Sequence, residues 1–230
     1  MDEEEISSTS EVSTELVNEN DSHYVGAETD DVLRMVGGII VVCSLLLVFG
    51  GETFAWWEVE TQIRNEETTI GFTFKLGITE FYAEGYQGEK ETNAYSDTEC
   101  NCEGLESLFT NLRIMLLGLI CCAGLLAYIG HTGEKKHLVP KLLVGICIIS
   151  LLTSVYAFYS IPKVYDDETE FFKDIGEDPL FYGNIETELS GNEVDVSVAP
   201  SLGFFLPVAA LILSIYLIKV REISFKDITG

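Results

Sequence analysis

Four apolar runs constrain this chain more than any other feature. Val32 to Phe49, Ile114 to Ile129, Leu142 to Ile161 and Val196 to Ile218 hold a single charged residue between them, Arg34, one turn into the first run. A hydrocarbon layer of about 30 Å takes about 20 helical residues to cross, so each run reads as a transmembrane helix. Folding all four as core helices of a water-soluble domain would leave too little amphipathic surface to face water. The charge balance agrees: a formal charge of −25 coexists with a positive mean hydropathy of +0.23. Acidic and apolar residues are therefore segregated along the chain.

Lys and Arg near span ends mark the cytoplasmic side. The short link after the second run holds Lys135, Lys136 and Lys141, and Lys219, Arg221 and Lys226 follow the fourth. The link from Gly50 to Leu108 sets three cations against thirteen carboxylates, and the link from Pro162 to Ser201 sets two against eleven. Both termini are thus expected in the cytoplasm, with two acidic loops outside. The resulting plan is a disordered acidic tail over 1–31, a four-span membrane domain over 32–221 and a cytoplasmic tail over 222–230. Within the domain the spans are about 32–49, 112–130, 142–161 and 200–218, the outer loops 50–111 and 162–199, and the inner loop 131–141. The tail holds eleven Asp or Glu and no Lys or Arg, too few apolar groups to offset the entropy of ordering. The residues before the first run are acidic rather than basic and no small-residue cleavage pattern follows it, so this run is expected to remain as the first span.

In the first outer loop the period changes to two. Trp57, Val59, Thr61 and Ile63 alternate with Glu58, Glu60 and Gln62, and Ile70, Phe72, Phe74, Leu76 and Ile78 alternate with polar or small residues. That is the pattern of two strands with one wet face, joined across Arg64–Thr68. The adjacent Trp56 and Trp57 are expected on opposite faces, one packed under the sheet and one at the lipid headgroups, where an indole places its apolar ring and polar N–H well. Glu103 to Met115 returns to helical spacing and is expected to run into the second span. Val194, Val196 and Val198 predict a short strand leading into the fourth.

Of six cysteines, Cys43, Cys121, Cys122 and Cys147 fall within spans. Only Cys100 and Cys102 face the oxidising side. A bridge between them is geometrically demanding; a link between molecules, free thiols, or half of a metal site are the other readings.

The order of these elements resembles the claudin and peripheral-myelin-protein superfamily over Val32 to Arg221. That family's first loop carries a Trp, then Gly-Leu-Trp, then two Cys, then an Arg near the outer end of the second span. Trp56 or Trp57 matches the first Trp, Arg113 the Arg, and Cys100 or Cys102 the second Cys. Gly77–Ile78 stands where Gly-Leu would, but Thr79 replaces the Trp and Tyr82 the first Cys. The resemblance implies a membrane all-α fold: a four-helix transmembrane bundle with a small antiparallel β-sheet in the first extracellular loop.

No nucleophile elbow, phosphate-binding glycine loop, zinc-protease helix or spaced Cys and His set occurs. No catalytic residue, cofactor or metal ligand is assigned, and the chain is expected not to be an enzyme. The seven carboxylates between Asp166 and Asp178 lack the spacing of a calcium loop and read as a solvated face. Gly118 and Cys122, four apart, and Gly37–Gly38 suit close helix packing. The expected partners are the lipid bilayer and either another copy or another membrane protein, with no nucleic acid. The function expected is contact between proteins through the outer sheet. The alternative is a small transporter or channel subunit whose acidic loops gather cations and whose polar track would be Ser44, Ser150, Thr153, Ser154 and Ser214.

Overall fold

A computed structural model describes residues 31–49, 54–63, 68–75, 78–84, 90–94, 103–189 and 192–223. Four long helices dominate it: α1 (Asp31–Phe49), α2 (Glu103–Thr132), α3 (Val139–Thr169) and, after the one-turn α4 (Phe171–Asp174), α5 (Leu202–Val220). All four long helices are apolar and long enough to cross a membrane.

Each is hydrophobic all round. In α2 the residues Leu112, Leu116, Leu119, Ala123 and Leu126 recur every three or four positions and are buried, yet Ile114, Leu117, Leu125 and Tyr128 on the other side are 46–61% exposed. In water such a surface would drive aggregation; a helix apolar on every side belongs inside a large protein or in lipid. This supports a multi-pass membrane protein.

As the helical spacing before the second run predicts, α2 starts at Glu103 and continues unbroken into the apolar stretch. The helix after the third run goes further than the apolar stretch does. Pro162 lies inside α3, which continues to Thr169. Proline removes one backbone hydrogen bond there, and in the eight helical residues after Ile161 Tyr165 packs against the strand rings of Trp57, Phe72 and Phe74.

The sheet has six antiparallel strands: β1 (Ala55–Ile63), β2 (Thr68–Lys75), β3 (Ile78–Glu84), β4 (Lys90–Ala94), β5 (Gly183–Leu189) and β6 (Asn192–Pro200). Their order is β4-β3-β2-β1-β6-β5. This corrects the expectation of a sheet confined to the first long loop. The strand expected at Val194–Val198 is present, but it pairs with β1, setting Val198 against Val59, Val196 against Thr61 and Val194 against Ile63. The physical reason is connectivity. β6 runs almost directly into α5, whose first turn abuts the start of β1, so the second loop has no shorter way to satisfy its backbone groups than the open edge of β1.

The bundle therefore has two unlike ends. The sheet end carries the strands and the extension of α3. The loop end gathers the start of α1, the tight turn from Gly133 to Leu138 and the end of α5.

Candidate functional site

Trp57 is the anchor between sheet and bundle. It is fully buried, and its indole Nε1 donates a 3.0 Å hydrogen bond to the Phe181 carbonyl. Its ring lies 5.3 Å from that of Phe74 and 5.4 Å, edge-on, from that of Tyr165. Tyr165 in turn meets Phe74 at 5.1 Å and Phe171 at 5.8 Å. The apolar face of β1 and β2 is thus filled from within by rings carried on α3 and α4. Two-residue alternation supplies the sheet's share, and the Phe171–Phe172 doublet beside an acidic run was the signal for the other share.

Trp56 is equally buried, so the expected placement of one tryptophan at the headgroups is not what the fold does. The pairing of β1 with β2 shifts register between Ala55 and Trp57, and the first turn of α5 covers the ring. A Cβ on Gly203 would come within 2.8 Å of both the Ala55 carbonyl oxygen and Trp56 Cδ1. Only glycine lets the helix approach this closely. The Trp56 Nε1 has no hydrogen-bond partner among the described residues.

Three carboxylates of the Asp166–Asp178 run do more than face water. Asp166 Oδ1 accepts from the backbone N–H groups of Phe172 at 2.7 Å and Lys173 at 3.2 Å, which starts α4. Glu168 Oε1 accepts from Gly104 at 2.6 Å and Leu105 at 3.2 Å, capping α2 from the neighbouring helix. Glu170, at the left-handed break between α3 and α4 (φ 55°), pairs with Lys173 at 2.7 Å. The Lys173 ammonium holds the Glu170 carboxyl below its ordinary range. No group of His, Cys, Asp or Glu among the described residues is arranged to hold a metal ion.

With its apolar side filled, the sheet offers its polar side. Glu60 and Gln62 of β1, Asn184 and Glu186 of β5, and Asp195 and Ser197 of β6 line an open depression of about 450 Å³. Register places Asp195 directly opposite Glu186, and Glu193 opposite Glu188. Like charges facing each other across strands oppose sheet formation. The depression is rich in acceptors, with carboxylates, side-chain amides and a hydroxyl, and its chemistry is recognition of cationic or hydrogen-bond-donating surfaces. This is the candidate site. Of the residues singled out from sequence, Glu60 and Gln62 of the wet strand face line it, and the buried Trp57 and Trp56 anchor the strand that carries them.

The remaining candidates lie in the bundle or beyond the described residues. Cys122 Sγ lies 3.7 Å from where a Cβ on Gly145 of α3 would stand, and Gly118 faces Ile149, so both belong to the α2–α3 contact. Arg113 is half-buried on α2, two residues after Asn111, which donates to the Tyr156 hydroxyl at 3.2 Å. Gly37 marks a tighter approach than Gly118: a Cβ there would come within 2.8 Å of Ala123 O and Ala127 N. Ser44, Ser150, Thr153, Ser154 and Ser214 are all buried. Thr153 and Ser154 donate to the carbonyls of Ile149 and Ser150 on their own helix. Cys100 and Cys102, and the Arg64–Glu67 connection, lie outside the described residues.

Comparison with models of protein families gives no match, and comparison with curated proteins gives none.

Proposed function

We propose that this chain is a non-enzymatic multi-pass membrane protein of claudin-like architecture, with both termini cytoplasmic, whose extracellular sheet makes contacts with another membrane protein. The observation that carries this reading is the rigid mounting of the sheet. Trp57 and Trp56 lock its first strand to α3 and α5, so its polar face, with the 450 Å³ depression, is held at a fixed height and tilt over the bundle. A preorganised surface of this kind keeps the ordering cost of association low.

The face also narrows the partner. Two copies meeting through it would set carboxylates against carboxylates, which costs several kcal/mol at close range. A partner with a basic contact surface fits better than a second copy in the same orientation. The transporter alternative draws less support, because Thr153 and Ser154 spend their hydroxyl protons on their own helix carbonyls, a common local bond in membrane helices.

The test is cross-linking in native membranes followed by identification of what is bound, with the wild-type chain and a Glu60→Lys, Glu186→Lys, Asp195→Lys variant. Recovery of a partner by the wild type and its loss in the variant are expected. A strictly monomeric chain with no partner in either case would end this reading.

A further inference from the structure

The loop end of the bundle is the basic pole of the molecule. Arg34 opens α1, Lys135, Lys136 and Lys141 surround the α2–α3 turn, and Lys219 and Arg221 close α5; against these six stand Asp31, Glu134 and Glu222. Five of the six cations are exposed, Arg221 being half-buried. The turn itself presents them. Gly133 (φ 68°) and Lys135 (φ 55°) adopt left-handed backbone conformations, so the chain reverses within a few residues and leaves Lys135 and Lys136 on the end surface. Arg34 already holds one carboxylate, that of Asp31, at 3.0 Å.

α1 delivers the N-terminal part of the chain to this pole. Residues 1–30 hold ten Asp or Glu and no Lys or Arg, and they join the bundle at Asp31, on the same end as the lysines. We infer that the acidic segment 1–30 docks against this basic end, as an intramolecular counter-charge. Contour length does not prevent it, since 30 residues can span up to about 100 Å. Tethering at residue 31 gives the segment an effective concentration on the order of millimolar at these lysines. The sheet end, whose polar face is acidic, repels it, and the same end of a second copy could meet this end only cation against cation. Anionic lipid headgroups are the competing occupant. They are drawn to such lysines by about 1 kcal/mol each, but they lack the tether.

The experiment uses the full chain in a neutral detergent with a zero-length carbodiimide, and cross-linked peptides are mapped by mass spectrometry. Amide links from carboxylates between Asp2 and Asp21 to Lys135, Lys136 or Lys141 are expected at low ionic strength. They should fall at least about fivefold at 1 M salt, where the screening length is about 3 Å. Links of equal yield to Lys163 and Lys173 at the sheet end, or links indifferent to salt, would overturn the inference. A second variant with Glu3, Glu4, Glu5, Glu11 and Glu15 changed to Gln leaves the helices untouched. Amine-reactive labelling of Lys135 and Lys136 should rise several-fold in it, and unchanged labelling counts against docking. In vesicles, links that persist with both phosphatidylcholine alone and added phosphatidylglycerol support the segment as occupant. Links lost only with the anionic lipid assign the face to headgroups and overturn it.

Discussion

The core beneath the sheet and the seam between the helices are both apolar and both buried, yet rings dominate the first, while the second mixes leucines with small residues. Under the sheet the rings of Trp57, Phe74, Tyr165 and Phe172 fill the space. Between α1 and α2, Gly37 sits close on Ala123 and Ala127, and Ser150, Ala157, Ala210 and Ser214 are buried in α3 and α5. The difference follows from the solvent each region is taken from. Removing a large ring from water is worth about 25 cal/mol per Å², so the sheet end gains by burying big side chains. A helix already in lipid gains nothing by trading a hydrocarbon tail for a leucine, and association then depends on close backbone approach and dispersion. Aromatic rings hold the one region together; the other combines buried leucines such as Leu112, Leu116 and Leu119 with small residues that let the backbones come close.

The largest effect should come from emptying the ring core. Trp57→Ala is expected to destabilise the sheet end by roughly 3–5 kcal/mol, read by Trp56 fluorescence during denaturation in detergent, with helical circular dichroism largely retained. A loss of helix and sheet together would merge the two regions into one cooperative unit. Next comes the seam. Gly37→Val forces a side chain against backbone atoms and should cost about 1–3 kcal/mol or more. Gly38→Val should be nearly silent, since a Cβ at Gly38 meets nothing within 4 Å. Equal thermal shifts for the two variants would break the comparison.

The two tryptophans give a finer contrast. Trp57→Phe leaves the Phe181 carbonyl without its donor and should cost about 1–2 kcal/mol, whereas Trp56→Phe removes an indole N–H that has no partner and should cost less. Thermal melting of both variants in the same detergent decides it. Glu168→Ala should lose about 1 kcal/mol by uncapping α2, and Glu168→Gln, which keeps an acceptor oxygen, should recover most of it; amide exchange at Gly104 and Leu105 is the readout.

The smallest effect belongs to the water-exposed rim. Lys173 depresses the Glu170 carboxyl, so this pair's contribution to stability is present above the ordinary carboxylate range and lost as pH falls through the depressed value. In Lys173→Ala the Glu170 titration, followed by NMR, should move up toward the ordinary range, and high salt should move the wild type the same way.

Much of this was legible in the chain. The four apolar runs announced the helices, and the alternation around Val59 and Phe72 announced two strands, because periodicity is a local property. The spacing of Leu105, Leu108 and Leu112 announced the start of α2. The joining of β6 to β1 was not legible, since strand pairing between residues more than a hundred positions apart leaves no local mark. Nor was the burial of both tryptophans. Strand alternation alone sends them to opposite faces, but the pairing shifts register between Ala55 and Trp57, and the slot that covers Trp56 exists only because Gly203, far along the chain, lacks a side chain. The acidic run from Asp166 looked uniformly solvated for a similar reason. A capping carboxylate and an idle one are the same residue until the helix terminus it caps arrives beside it.

The sequence by itself determined which segments are long and apolar enough to cross a membrane, because hydropathy summed over a helix length is a sum over neighbours. Only the tertiary structure decided which face of the sheet is spent and which is offered. That choice depends on the rings of α3 and α4 reaching β1 and β2 first, a contact between distant segments whose energy no local pattern contains.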